Sequence, residues 1–189
     1  MKPLVKFIFA TILFSLTLSA NALELKGVKI DETAQVSGKA LVLNGAGVRT
    51  KMVFKVYVAA LYLTQKQTDA NAVISETGNK RVSMHFLRDL SAEKLLHAIE
   101  EGFEANNNAA EMTAIGPQFK AFKQLMTSAK AVKEGDVIVL DYTSANTIAS
   151  LNGTALGTVE GAAFNQALLR VWLGEKPVDE ALKKAMLGQ

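Results

Sequence analysis

The chain of 189 residues contains no cysteine, only two histidines, three prolines and a single tryptophan. Without cysteine there is no disulfide, no thiol nucleophile and no thiolate metal site. His85 falls in a strand-like stretch and His97 in a helical one, and no Gly-x-Ser-x-Gly is present. A hydrolytic triad therefore lacks its parts, and each histidine reads as a core or surface residue. There is no His-x-x-x-His and no acidic loop of calcium-binding spacing, so neither a metal nor another cofactor is expected. Lysine and arginine are scattered, with no basic stripe interleaved with aromatics, which removes nucleic acid as a partner. The Gly-x-Gly in "LNGAGVR" precedes a strand-like run rather than a helix, so it is no nucleotide cradle. Glu100, Glu101 and Glu104 read as a solvated helix face.

What is present begins at the N-terminus. "MKPLVKFIFATILFSLTLSANA" carries Lys2 and Lys6, then an apolar stretch from Phe7 to about Leu18, then Ala20-Asn21-Ala22. This is the pattern of a secretory signal peptide over residues 1–22, cleaved after Ala22, and it implies a periplasmic or secreted protein. The apolar stretch is shorter than the roughly 20 residues a spanning helix needs, although an uncleaved N-terminal anchor is the competing reading. No second stretch is long enough to span, and no lipobox cysteine follows. A soluble domain over residues 23–189 without a stable membrane anchor is expected. The whole chain carries a net charge of +3. Removing Lys2 and Lys6 leaves +1, so the pI near 9.0 overstates how basic the exported form is.

Along the remainder, "LELKGVKI" alternates like a strand. "SGKALVLNGAGV" and "MVFKVYVAALYL" read as two strands joined by a loop around Gly45 to Arg49. "DANAVISE" suits a short helix, and "KRVSMHFLRD" a half-buried strand with Val82, Met84 and Phe86 inward. Ser91 is a good N-cap for a helix that places Leu95, Leu96, Ile99 and Phe103 on one face, although Gly102 interrupts it. "NNNAA" breaks the pattern, and "IGPQFKAFKQLMTSA" restores it. "DVIVLDYTS" is a strand, and "TIASLNGTALGTVE" is a hairpin turning at Asn152-Gly153. Two helices close the chain, "GAAFNQALLRVWLG" and "PVDEALKKAMLG", with Gly174 and Gly188 at their ends and Pro177 at a start. Strands, helices, strands and helices in that order favour an α+β fold, a mostly antiparallel sheet with helices layered on one face.

Arg49 is the residue that composition leaves unexplained. A guanidinium never loses its proton and offers a planar fork of donors suited to a carboxylate, phenolate or phosphate. Beside apolar strands it is desolvated, and an unpaired charge there is costly. Two answers stand open: an internal salt bridge, to Asp89 or Asp141, or the anionic head of a bound apolar ligand.

"LNGAGVRTKMVFKVYVAALYL" resembles the signature segment of the chalcone isomerase family. "LSAEKLLHAIEEGF" is similar to its central helix, and "TALGTVEGAAFNQALLRVWLGEKPV" to its late hairpin and helix. The resemblance implies an open-faced β-sandwich with a ligand cleft between sheet and helices. In the plant enzymes the arginine holds a reacting oxyanion without any cofactor; relatives that keep the arginine but lack the isomerase set bind fatty acids. Arg49 matches the family arginine. The strand threonine falls at Tyr57, the catalytic tyrosine at Ser91, the helix asparagine at Ala98, and the late-helix Ser/Thr near Asn165. One principal polar residue is thus retained and the others are replaced. The resemblance implies a binder of a small amphipathic anion, a fatty acid or similar carboxylate, through Arg49, Tyr57, Ser91 and Asn165. No catalytic residue is assigned. Tyr62 is either a further lining residue or plain core. An intramolecular lyase acting on a phenolic or enone substrate is the alternative, and an envelope partner protein with Arg49 in an internal bridge is the third; oligomeric state is left open.

Overall fold

The computed structural model describes residues 23–129 and 131–189; the expected signal peptide at residues 1–22 lies outside them. The chain opens with a small hairpin, β1 (Leu23–Leu25) and β2 (Val28–Ile30), paired antiparallel. The single strand expected over "LELKGVKI" is thus two. Lys26 and Gly27 both take positive φ (54° and 79°), which reverses the chain between them. A strand that the sequence reading did not separate, β3 (Thr33–Val36), then turns through Ser37-Gly38 into the long β4 (Lys39–Lys51). Next come β5 (Phe54–Leu63), α1 (Ala70–Ser75) with Asp69 as N-cap, β6 (Lys80–Phe86) and the short β7 (Leu90–Ser91). The helical middle is α2 (Ala92–Asn106), α3 (Ala109–Ala114) and α4 (Gly116–Ser128). The chain ends with β8 (Ala131–Val132), β9 (Val137–Tyr142), β10 (Asn146–Leu151), β11 (Thr154–Glu160), α5 (Ala162–Leu173) and α6 (Glu180–Met186).

Seven strands form one sheet in the order β11-β10-β9-β6-β5-β4-β3, and each neighbouring pair is antiparallel. Side chains alternate across it. On one face Tyr57, Ala59 and Leu61 of β5 join Val82, Met84 and Phe86 of β6 and Leu140 of β9 in the main core beneath the helices. Phe103 of α2 stacks on Phe164 of α5 at 5.7 Å between ring centroids, and Phe122 of α4 meets the same ring at 5.5 Å, which ties the three helices together. On the other face Val58, Ala60 and Tyr62 form a smaller cluster with Ile30, Val36 and Leu41, under the first hairpin. The α+β reading with helices on one face therefore holds.

Three details depart from the sequence reading. The segment from Gly45 to Arg49 is no loop; β4 runs straight through it, and the reversal falls at Met52-Val53. The glycines serve close approach instead. A Cβ at Gly45 would lie 2.1 Å from the Ala185 carbonyl oxygen and one at Gly47 2.7 Å from Ala185 Cβ, so α6 sits directly on the strand. "NNNAA" ends one helix and starts another: Asn108 and Glu111 form a reciprocal capping box that opens α3. Pro177 lies upstream of α6, whose N-cap is Asp179. The glycine inside α2 has its own reason, since a Cβ at Gly102 would come within 2.8 Å of Val171 Cγ1 where α2 crosses α5.

Candidate functional site

Arg49 and Tyr57 are register partners across β4 and β5. Directly opposed residues project from the same side of a sheet, so both point toward the helices. The guanidinium carbon lies 5.4 Å from the centre of the Tyr57 ring. Trp172 of α5 donates its Nε1–H to the Tyr57 hydroxyl at 3.0 Å, and Phe86 meets the Tyr57 ring edge-on. Burial raises the Tyr57 pKa, opposed by the positive charge of Arg49. The phenol stays protonated at neutral pH. Its oxygen is occupied by the indole, while its own proton remains available as a donor.

These three side chains supply the polar atoms of an otherwise hydrocarbon and thioether-lined cavity of about 30 Å³. Met84 of the sheet, Leu95 and Ile99 of α2 and Phe122 and Met126 of α4 form part of its wall. An outer cleft of about 240 Å³ lies alongside, bordered by Lys51, Glu101 and Lys176. Arg49, Ala98 and Val178 line both spaces. The guanidinium therefore stands at a neck between a wet cleft and a greasy interior.

Its electrostatic state decides what the neck can do. Arg49 is 7% exposed, and its Nε is buried with no hydrogen-bond partner. Among the described residues it makes no ion pair. The two candidate acids are engaged elsewhere. Asp141 accepts both Nε and an NH2 hydrogen from Arg81, at 2.6 and 2.7 Å. Asp89 pairs with Lys133 at 2.9 Å. Asp179, which also approaches this end of the sheet, accepts from the backbone N–H groups of Thr50 and Leu182. A buried cation so left has no charge compensation among the described residues, which is costly.

The structure brings Arg49 and Tyr57 together and puts the other two candidates elsewhere. Ser91 is exposed and caps α2, accepting from the Lys94 N–H. Asn165 is buried in α5, where its Oδ1 accepts from the Thr147 hydroxyl at 2.6 Å and its Nδ2 donates to the Thr143 carbonyl at 2.9 Å. It ties α5 to the β9–β10 turn. Tyr62 lies on the opposite face of the sheet and donates to the Asp31 carbonyl. Trp172 was missed by the sequence reading. The only signal was the one indole of the chain set in the apolar "ALLRVWLG", a residue that needs an acceptor when buried. Among the described residues no three of His, Asp and Glu converge as a metal cluster.

The sequence profile of the family described as chalcone isomerase-like matches residues 22–188, and the chain belongs to that family. No curated protein sequence matches it. Among solved structures it is similar to the Arabidopsis thaliana fatty-acid binding protein, with a TM-score of 0.68 over 88% of this chain and 96% of that one. At 13% sequence identity that likeness is one of fold.

Proposed function

We propose that the protein is a non-catalytic binder of a small amphipathic anion, a fatty acid or similar carboxylate, exported after removal of residues 1–22 to the periplasm or the medium. Arg49 takes the head group, and the chain lies in the apolar space between sheet and helices. The observation that carries this reading is the buried guanidinium without an acid partner at the neck of an apolar cavity. Membership of the chalcone isomerase-like family and the fatty-acid binding described for the structural neighbour support it.

The cavity of about 30 Å³ has room for about two water molecules, not for an acyl chain. Binding therefore couples to movement of α2 and α4 away from the sheet. Met84 and Met126 suit this, because an unbranched thioether refits its surroundings more readily than a branched chain. Each buried CH₂ contributes about 0.8 kcal/mol, so a chain of medium length offsets the work of opening.

Native mass spectrometry and thermal melts test the proposal. Fatty acid present at about a hundredfold excess over Kd stabilises the folded state by about 2.7 kcal/mol. That corresponds to a rise in Tm of roughly 5–10 °C for a domain of this size. No co-purified ligand, together with no shift from saturated or unsaturated acids of any length, refutes it.

A second reading, an intramolecular lyase on a phenolic or enone substrate, has one observation in its favour. The protonated Tyr57 hydroxyl sits beside Arg49, and two such donors stabilise a developing oxyanion. Turnover of a chalcone or a simpler unsaturated ketone, lost in Arg49→Ala, is its test.

A further inference from the structure

The β4–β5 turn carries an exposed apolar point that the ligand site does not use. Among the described residues five large hydrophobics are exposed, and three of them are consecutive there: Met52 at 89%, Val53 at 83% and Phe54 at 54%. Met52 also takes φ 59°, a left-handed conformation usually given to glycine or asparagine in a two-residue turn. Neither folding nor solubility accounts for a methionine in that conformation with its side chain in water.

The apolar point is ringed by cations. Lys51 and Lys55 flank it in sequence. The Arg88 guanidinium lies 4.7 Å from the centre of the Phe54 ring. Lys26 of the first hairpin stands beside Lys55, and the closeness of the two amines holds Lys55 below its ordinary pKa. Among the described residues Lys26, Lys55 and Arg88 have no carboxylate partner, while Lys51 has Glu101 at 3.7 Å. Neighbouring cations without an acid partner suit an anionic phosphate oxygen.

We propose that this turn is a membrane-docking wedge, inserting Met52 and Val53 among the headgroups of an anionic bilayer while Lys26, Lys51, Lys55 and Arg88 meet the lipid phosphates. The most exposed apolar side chains are two residues of one turn, Met52 and Val53. A stable protein interface needs about 1,000 Å² or more of matched area, whereas a bilayer accepts a single inserted point. The cationic ring supplies the charge complementarity. Lys51 also borders the outer cleft beside Arg49, so docking brings the mouth of the cavity to the lipid surface. The inference goes beyond the ligand reading and stands without it.

Vesicle co-sedimentation tests it, with phosphatidylcholine alone and with phosphatidylcholine plus phosphatidylglycerol. Wild-type protein should bind the anionic vesicles and be released by raised salt. The double variant M52D/V53D should lose about tenfold or more in partitioning, and K55E/R88E about fivefold for each charge removed. Reading each variant against wild type cancels any contribution of residues 1–22. Unchanged Tm in both variants shows that the fold is intact. Equal partitioning of M52D/V53D and wild type overturns the proposal, as does binding indifferent to lipid charge. A concentration-dependent dimer that M52D/V53D abolishes, with no vesicle binding, also overturns it and assigns the turn to a second copy.

Discussion

Replacing Arg49 with methionine separates the two readings of this side chain because they predict opposite signs. If the guanidinium were clasped by an acid, its removal would strand a buried carboxylate and cost about 3–5 kcal/mol. Among the described residues there is no such acid, and the buried Nε lacks a hydrogen-bond partner. An unsatisfied buried donor costs about 1–3 kcal/mol, and the residue also borders the outer cleft, where hydration relieves part of the charge. Opposing this is the contact with the Tyr57 face, worth about 0.5–2 kcal/mol. Methionine fills similar space without polar atoms. The balance favours Arg49→Met by about 1 kcal/mol, or roughly 2–4 °C in Tm. Binding moves the other way. Loss of a charge-assisted bond worth about 1.5–3 kcal/mol weakens a fatty acid by roughly 10- to 150-fold. Urea unfolding and ligand titration on the same two proteins measure both quantities. A variant destabilised by more than about 2 kcal/mol, or one that binds as well as wild type, refutes the reasoning.

Gly45→Ala drives a Cβ into the Ala185 carbonyl, which belongs to backbone and cannot swing aside; a loss of about 3 kcal/mol in chemical unfolding is expected, and wild-type stability would mean that α6 is not seated there. Tyr57→Phe removes the acceptor of the Trp172 Nε1–H. It should cost about 1–3 kcal/mol and shift the emission of the only tryptophan; unaltered emission would mean that the bond is absent. Burial holds His85 below its ordinary pKa of 6.5, so the unfolded chain takes up that proton first. This contribution to stability is fully present above pH 6.5 and is lost as pH falls through the lower folded value, a slope that His85→Gln should flatten.

The antiparallel sheet and the main helices were legible because their patterns are local. Val82, Met84 and Phe86 alternate as a strand, and Leu95, Ile99 and Phe103 recur as a helix face. The small elements were not legible. A four-residue strand such as β3 offers no period to count, and the Asn108 cap became visible only once Glu111 was seen to answer it. The candidate site divides in the same way. Arg49 stood out because a permanent charge in an apolar run demands a partner wherever it sits. Tyr57 came only from the family resemblance. The positions of Ser91 and Asn165 depend on how helices lie on the sheet, which spacing along one chain does not contain. Trp172 reaches Tyr57 across 115 positions of sequence, a pairing that only the assembled layers create.

Why Arg49 faces the helices at all depends on one residue five positions earlier. Leu41 and Leu43 of β4 belong to the small cluster under the first hairpin, opposite the helices. Leu43 pairs with Tyr62, but the next residue paired is Gly45, with Leu61. Asn44 is an extra residue, a β-bulge, and it reverses the phase of everything after it. Its side chain is fixed on both sides: Nδ2 donates to the carbonyls of Met186 and Gln67 at 2.8 and 2.9 Å, and Oδ1 accepts from the Gln67 N–H at 2.7 Å. Past the bulge, Gly45, Gly47 and Arg49 face the helices, while Ala46 and Val48 join the small cluster. A one-residue slip would turn the guanidinium into that small cluster and present Val48 to the cavity. The same asparagine that binds the last turn of α6 thus sets the phase that gives α6 its glycine seat and puts the cation beyond it, at the neck of the cavity. The packing of the final helix and the placing of the charge are one structural decision, made at Asn44.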